Sequence, residues 1–133
     1  MHPHRLSQSY WQEKENAASL SGLHIIANFR VRDTSTLIQS NPFRRFVDAQ
    51  ITDLHLTKVG EVYHEFSGGG YTAVVCLTES HLSVHTWPEH NYLTFDIFLS
   101  NYLKDNRPVT QALYEQVKAF FGADVVFEQM IQR

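Results

Sequence analysis

Strict alternation of apolar and polar side chains, in two separate stretches, is what most limits the folds open to this chain. From Leu23 to Val31, the residues Leu23, Ile25, Ala27, Phe29 and Val31 interleave with His24, Ile26, Asn28 and Arg30. From Tyr92 to Leu99, Leu93, Phe95, Ile97 and Leu99 interleave with Tyr92, Thr94, Asp96 and Phe98. Successive side chains of a strand point to opposite faces, so a period of two marks a strand buried on one face. A sheet of such strands is covered on one side, and its other side meets solvent, a ligand or a second subunit.

The remaining pattern supplies the cover. Asn41-Pro42 offers an N-cap and a proline at the first helical position, ahead of Phe43, Phe46, Val47, Ile51 and Leu54 at helical spacing. Leu56 to Phe66 is strand-like, Gly68-Gly69-Gly70 interrupts it, Tyr71 to Leu77 is β-rich, and His81 to Trp87 stops at Pro88. After Pro108, the set Val109, Ala112, Leu113, Val117 and Phe120 predicts a second helix closed by Gly122, and Val125 to Ile131 a last strand. The order β-α-β-β-β-β-α-β implies an α+β fold, a two-layer α/β sandwich with a mostly antiparallel sheet and two helices on one face. At 133 residues the chain has room for one core. Residues 1–21, polar and ending at Ser21, read as an N-terminal arm ahead of a single domain over 22–133.

Composition narrows the partners. Eleven Lys and Arg against fourteen Asp and Glu give a net charge of −3, with no basic stripe to neutralise phosphates, which argues against nucleic acid and for a small or cationic ligand. The longest apolar runs, such as Ala73 to Leu77, fall far short of the roughly 20 residues that cross a bilayer. The N-terminus lacks the apolar stretch of a secretory signal, so a cytoplasmic location is expected. The single cysteine, Cys76, excludes an intrachain disulfide, and its neighbours Val74, Val75 and Leu77 predict a buried structural thiol.

Functional groups are densest in Thr78-Glu79-Ser80-His81-Leu82-Ser83-Val84-His85-Thr86-Trp87-Pro88-Glu89. His81, His85 and Glu89 have the spacing of a helical metal site, but on a strand His81 and His85 lie about 13 Å apart, so no metal site is expected. No Gly-x-Ser-x-Gly elbow marks a serine hydrolase, and Gly68–Gly70 lack the Lys-Ser/Thr and helix start of a phosphate loop. A hairpin turning near Thr78-Glu79 would set Thr72 opposite His85.

The segment from Glu79 to Glu89 closely resembles the self-cleavage and active-site segment of the bacterial and archaeal S-adenosylmethionine decarboxylases, which are pyruvoyl enzymes. The likeness runs back through Phe66 to the opening strand at Gly22 and forward through Tyr92 and Asp96-Ile97-Phe98, covering roughly residues 22 to 131. It implies a proenzyme cut between Glu79 and Ser80, with Ser80 becoming the pyruvoyl group that forms a Schiff base with the substrate amine, and needing neither metal nor pyridoxal phosphate. By the same resemblance Thr72 and His85 assist processing, Phe66 stacks on adenine, Glu89 holds the ribose hydroxyls, and Trp87 and His85 lie close to the pyruvoyl. The implied activity converts S-adenosylmethionine to the aminopropyl donor of polyamine synthesis.

The chain departs from that pattern where the family has a proton-donating cysteine. Ser100 stands there, and a hydroxyl is a poorer general acid than a thiol. Two further readings follow: a pyruvoyl decarboxylase of ornithine or arginine, with Glu65 or Asp96 receiving the distal cation, and a non-catalytic paralogue that binds a partner. The aromatic free face carrying His85, Tyr92, Thr94 and Phe98 predicts a homodimer with sites at or near the subunit contact.

Overall fold

The computed structural model describes residues 21–133; the expected arm over 1–21 lies, apart from Ser21, outside the described residues. The elements are β1 (Gly22–Val31), α1 (Ser35–Ile38), α2 (Asn41–Asp53), β2 (Lys58–Glu65), β3 (Tyr71–Leu77), β4 (Ser80–Trp87), β5 (Tyr92–Ser100), α3 (Arg107–Phe121) and β6 (Ala123–Gln132), with a 3₁₀ turn at Pro88–His90. The strands form one six-stranded sheet in the order β2-β3-β4-β5-β1-β6, and every neighbouring pair is antiparallel. The fold is therefore the expected α+β sandwich, with an entirely antiparallel sheet.

The alternation does what it predicts. Leu23, Ile25, Ala27, Phe29 and Val31 of β1 and Leu93, Phe95, Ile97 and Leu99 of β5 are buried in a single core with Phe43, Val47 and Ile51 of α2 and Leu113, Tyr114 and Val117 of α3. Because these inward residues share one cluster with both long helices, the helices lie on the same face of the sheet. Phe43 anchors that layer, with its ring 5.4 Å from Phe121, 5.8 Å from Phe120 and 6.2 Å from Tyr71.

Four details differ from expectation. The short α1 is too brief for any apolar period; it begins where the Asp33 carboxylate accepts the Ser35 N–H at 3.0 Å. The N-cap of α2 is Ser40, one residue ahead of Asn41, and its own N–H is taken by the Glu65 carboxylate at 2.6 Å. The inward stripe of α3 is Thr110, Leu113, Tyr114, Val117 and Phe121, turned from the predicted one so that Ala112 is exposed. Tyr114 draws it round by stacking between Phe29 and Phe95, at 5.9 and 6.3 Å. Finally, Cys76 is exposed: Val75 and Leu77 take the inward positions of β3, and a period of two leaves the cysteine outward.

Candidate functional site

Leu77 pairs with Ser80, so β3 and β4 are joined by the two residues Thr78 and Glu79. Two-residue hairpins ordinarily carry positive φ within the turn itself. Here neither Thr78 nor Glu79 does, and the unusual torsion falls on Ser80, at φ 154°, a region that L side chains rarely adopt. Such a torsion costs about 1–3 kcal/mol and is kept only where the surroundings impose it. The imposing contacts are visible. The Thr78 hydroxyl donates to the Glu79 carboxylate at 2.8 Å, the Thr78 N–H donates to the Thr57 carbonyl at 3.0 Å, and the Ser100 N–H donates to the Glu79 carbonyl at 3.0 Å. The carbonyl of the Glu79–Ser80 bond is thus held and polarised from the end of β5, by a backbone amide that is indifferent to the side chain at position 100. Ser100 is itself fixed, its carbonyl accepting the Asn106 amide at 2.7 Å.

Behind this turn, on the face of the sheet away from the helices, lies a polar cluster. The Ser80 hydroxyl is 3.3 Å from His81 Nδ1, and His81 Nε2 is 3.0 Å from Asp96 Oδ2. His24 Nε2 approaches the same Asp96 oxygen at 2.8 Å, while the Ser83 hydroxyl donates to the other. Burial pushes the Asp96 carboxyl up, but the hydrogen bonds from Ser83, His24 and His81 outweigh it and hold the group below the ordinary 3.8. The sheet order β4-β5-β1 brings these residues together: His81 and His24 both pair with Phe98 from opposite sides, two residues along β5 from Asp96.

The other expected residues form a second group. Thr72 does pair with His85, the Thr72 hydroxyl and His85 Nδ1 lying 2.9 Å apart. They line a cavity of about 330 Å³ with Phe66, Gly68, Gly69, Thr86, Trp87 and Glu89. Its rim is set by the glycine turn. Gly70, at φ 98°, packs against the 3₁₀ turn so closely that a Cβ would lie 3.0 Å from the Pro88 ring and 3.2 Å from the Thr86 carbonyl. That approach brings exposed Phe66 across from Trp87 and Glu89. Thr86 pins the floor, donating to the Leu37 carbonyl at 2.7 Å and accepting the Tyr71 N–H at 2.9 Å.

The two groups are apart within one chain. His85 and Trp87 follow Ser80 by five and seven residues on the same strand, about 16 and 23 Å at the rise of a β-strand. The expected closeness of His85 and Trp87 to Ser80 therefore does not hold inside a single protomer. Glu65 and Asp96, considered as seats for a distal cation, are both engaged, Glu65 at the start of α2 and Asp96 in the histidine cluster. His24 and the part played by His81 were missed. Their signal was present as polar residues on the outward face of the alternation, but only the strand order joins them.

The sequence model of the family described as S-adenosylmethionine decarboxylase matches residues 23–133. The chain belongs to that family. It is 37% identical over 81 residues to the S-adenosylmethionine decarboxylase proenzyme of Aquifex aeolicus, covering 61% of this chain and 60% of that protein. It is 39% identical over 77 residues to the proenzyme of Archaeoglobus fulgidus, covering 58% and 69%. The matched part thus spans about 60% of the length of the Aquifex relative. The crystal structure of the adenosylmethionine decarboxylase from Aquifex aeolicus superposes with a TM-score of 0.70 at 25% identity, covering 84% of this chain and 88% of that one. The family match takes in both groups of residues, from His24 to Ser100.

Proposed function

We propose that this chain is a proenzyme that cuts itself between Glu79 and Ser80 and then decarboxylates S-adenosylmethionine, making the aminopropyl donor of polyamine synthesis in the cytoplasm. The observation that carries the reading is the turn itself: a strained Ser80 next to a carbonyl already gripped by the Ser100 N–H. Attack of the Ser80 hydroxyl on that carbonyl relaxes the torsion and places the developing oxyanion on an amide donor, the arrangement that acyl transfer requires. Family membership and the named relatives support the substrate.

The residues fit a prosthetic group formed at Ser80. The pyruvoyl carbonyl, once formed, supplies the electron sink that pyridoxal supplies elsewhere. This chain's side chains then bind and orient. Phe66 and Trp87 offer aromatic faces for the adenine, and Glu89 accepts the ribose hydroxyls across the same cavity. Since His85 and Thr72 stand about 16 Å from Ser80 in their own chain, they serve a Ser80 on a second copy, in a homodimer joined through the free sheet face. Exposed Val74, Trp87 and Phe127 fit that role.

Ser100 sets the last step. A hydroxyl delivers a proton to the substrate carbon less readily than a thiol, whose ordinary pKa is near 8.5. Ser100→Cys is expected to raise kcat on S-adenosylmethionine by about 10-fold or more, with KM little changed. An unchanged kcat would assign proton delivery to another group. The test of the function as a whole is a denaturing intact mass of the purified protein with a carbon dioxide release assay on S-adenosylmethionine. Fragments 1–79 and 80–133, the second with a blocked N-terminus, and released carbon dioxide are expected; a single uncut chain that releases none would overturn the reading.

A further inference from the structure

We propose that His81 is the catalytic base that takes the hydroxyl proton of Ser80 at the start of self-cleavage, positioned by Asp96, so that processing begins within one chain and at a histidine other than His85. This rests on the processing reading above and assigns a group to its first step.

The hydrogen-bond donors and acceptors fix the tautomers. Arg133 has only donors to offer, and its guanidinium lies 3.1 Å from His24 Nδ1, so that nitrogen keeps its lone pair and His24 Nε2 carries the hydrogen. The Nε2–H donates to Asp96, whose ionised carboxylate can only accept. His81 Nε2 faces the same oxygen at 3.0 Å and must donate as well. The lone pair of His81 is left on Nδ1, the nitrogen that faces the Ser80 hydroxyl at 3.3 Å. That is a serine–histidine–carboxylate relay, with the slightly long first contact usual of a ground state. Neighbouring strand residues ordinarily point to opposite faces, so a serine hydroxyl and the next imidazole rarely meet. The irregular torsion at Ser80 accompanies their meeting here.

His24, His81 and Asp96 also gather within 4.8 Å, a spacing that suits a cation. The same accounting opposes that use, because both imidazole nitrogens that face the carboxylate carry hydrogens and the other Asp96 oxygen holds Ser83.

The step balances within the chain. The Ser80 hydroxyl proton passes to His81 Nδ1 as the Oγ–C bond to Glu79 forms, and the Glu79 oxygen takes the negative charge against the Ser100 N–H. The C–N bond then breaks and the proton on His81 passes to the departing Ser80 nitrogen, leaving an ester and a free amine. Removal of the Ser80 Cα proton expels the Glu79 carboxylate. One water then replaces the nitrogen as ammonia, giving the pyruvoyl group.

The test follows fragments 1–79 and 80–133 by denaturing mass during cell-free synthesis of the full chain. His81→Gln keeps a donor toward Asp96 but has no basic Nδ1. It is expected to cleave about 100-fold more slowly or worse, to release no additional fragment with hydroxylamine, and to unfold at the temperature of the uncut Ser80→Ala chain. Imidazole added to His81→Ala is expected to restore cleavage in part. Cleavage of His81→Gln at the wild-type rate, an ester in it that hydroxylamine cuts, or wild-type cleavage abolished by EDTA would each overturn the assignment while leaving the proenzyme reading standing. A wild-type chain that never cleaves defeats the proenzyme reading itself. If His81→Gln does not fold, Asp96→Asn decides: cleavage slowed about 10-fold or more and recovered by Asp96→Glu supports the relay, and unchanged cleavage overturns it.

Discussion

Ser80→Ala is expected to remain a single uncut chain and to release no carbon dioxide from S-adenosylmethionine. The hydroxyl is the only nucleophile that can reach the Glu79 carbonyl through a five-membered ring, and no general base can compensate for its loss. Strain alone does not cut a peptide. Alanine would keep the torsion of 154° and the grip of the Ser100 N–H, yet lack an atom to form the new bond. The fold should survive, because Ser80 is half-buried and its side chain makes one modest contact, to His81 at 3.3 Å. The unfolding temperature of Ser80→Ala is expected to match that of the uncut His81→Gln chain, since serine and alanine share the Cβ that the torsion strains. Intact mass and thermal unfolding on one preparation check both halves, and fragments from a well-folded Ser80→Ala would exclude Ser80 as the nucleophile.

Mixing two defective chains is expected to repair one of them. His85→Ala alone should stall after the ester, lacking the group proposed to complete processing, and Ser80→Ala alone should not start. In the proposed dimer, a pair that holds one of each would bring an intact Ser80 on the His85→Ala chain to the partner's His85. Co-expression with distinguishable tags should therefore yield cut His85→Ala chains and uncut Ser80→Ala chains. Random pairing in a two-fold dimer puts roughly half of the His85→Ala chains beside a competent partner. The asymmetry is the diagnostic outcome. Mixed dimers in which neither chain is cut would show that His85 serves no neighbour, and a concentration-independent monomer in sedimentation would remove the premise.

Most of the sheet was legible because its alternation is a local signal. Ile25 and Ile97 declare their faces through their immediate neighbours, whatever pairs with them. The face of α3 was harder: Ala112 and Thr110 are both acceptable inside, and the decision came from Tyr114 fitting between two rings that the helix sequence does not contain. Cys76 was misplaced for a related reason, since apolar neighbours on both sides outweighed the period that turns it outward. The site divides in the same way. Thr72 opposite His85 follows from one hairpin, and a hairpin can be counted out along the chain. The link from His24 to Asp96 spans 72 residues and depends on β1 inserting beside β5, which no local pattern specifies.

In the proposed cut product the sheet order decides what holds the two pieces together. Severing the chain at the β3–β4 turn assigns β1, β2 and β3 to one piece and β4, β5 and β6 to the other. In space the pieces are interleaved, since β1 is sandwiched between β5 and β6 while β3 borders β4. Three hydrogen-bonded ladders thus run between the two polypeptides, and neither can depart without tearing strands from the middle of the sheet. The proposed maturation would in this sense be a one-way topological event: two chains would leave the reaction woven together, and once unravelled they would have to find each other by diffusion to weave the sheet again.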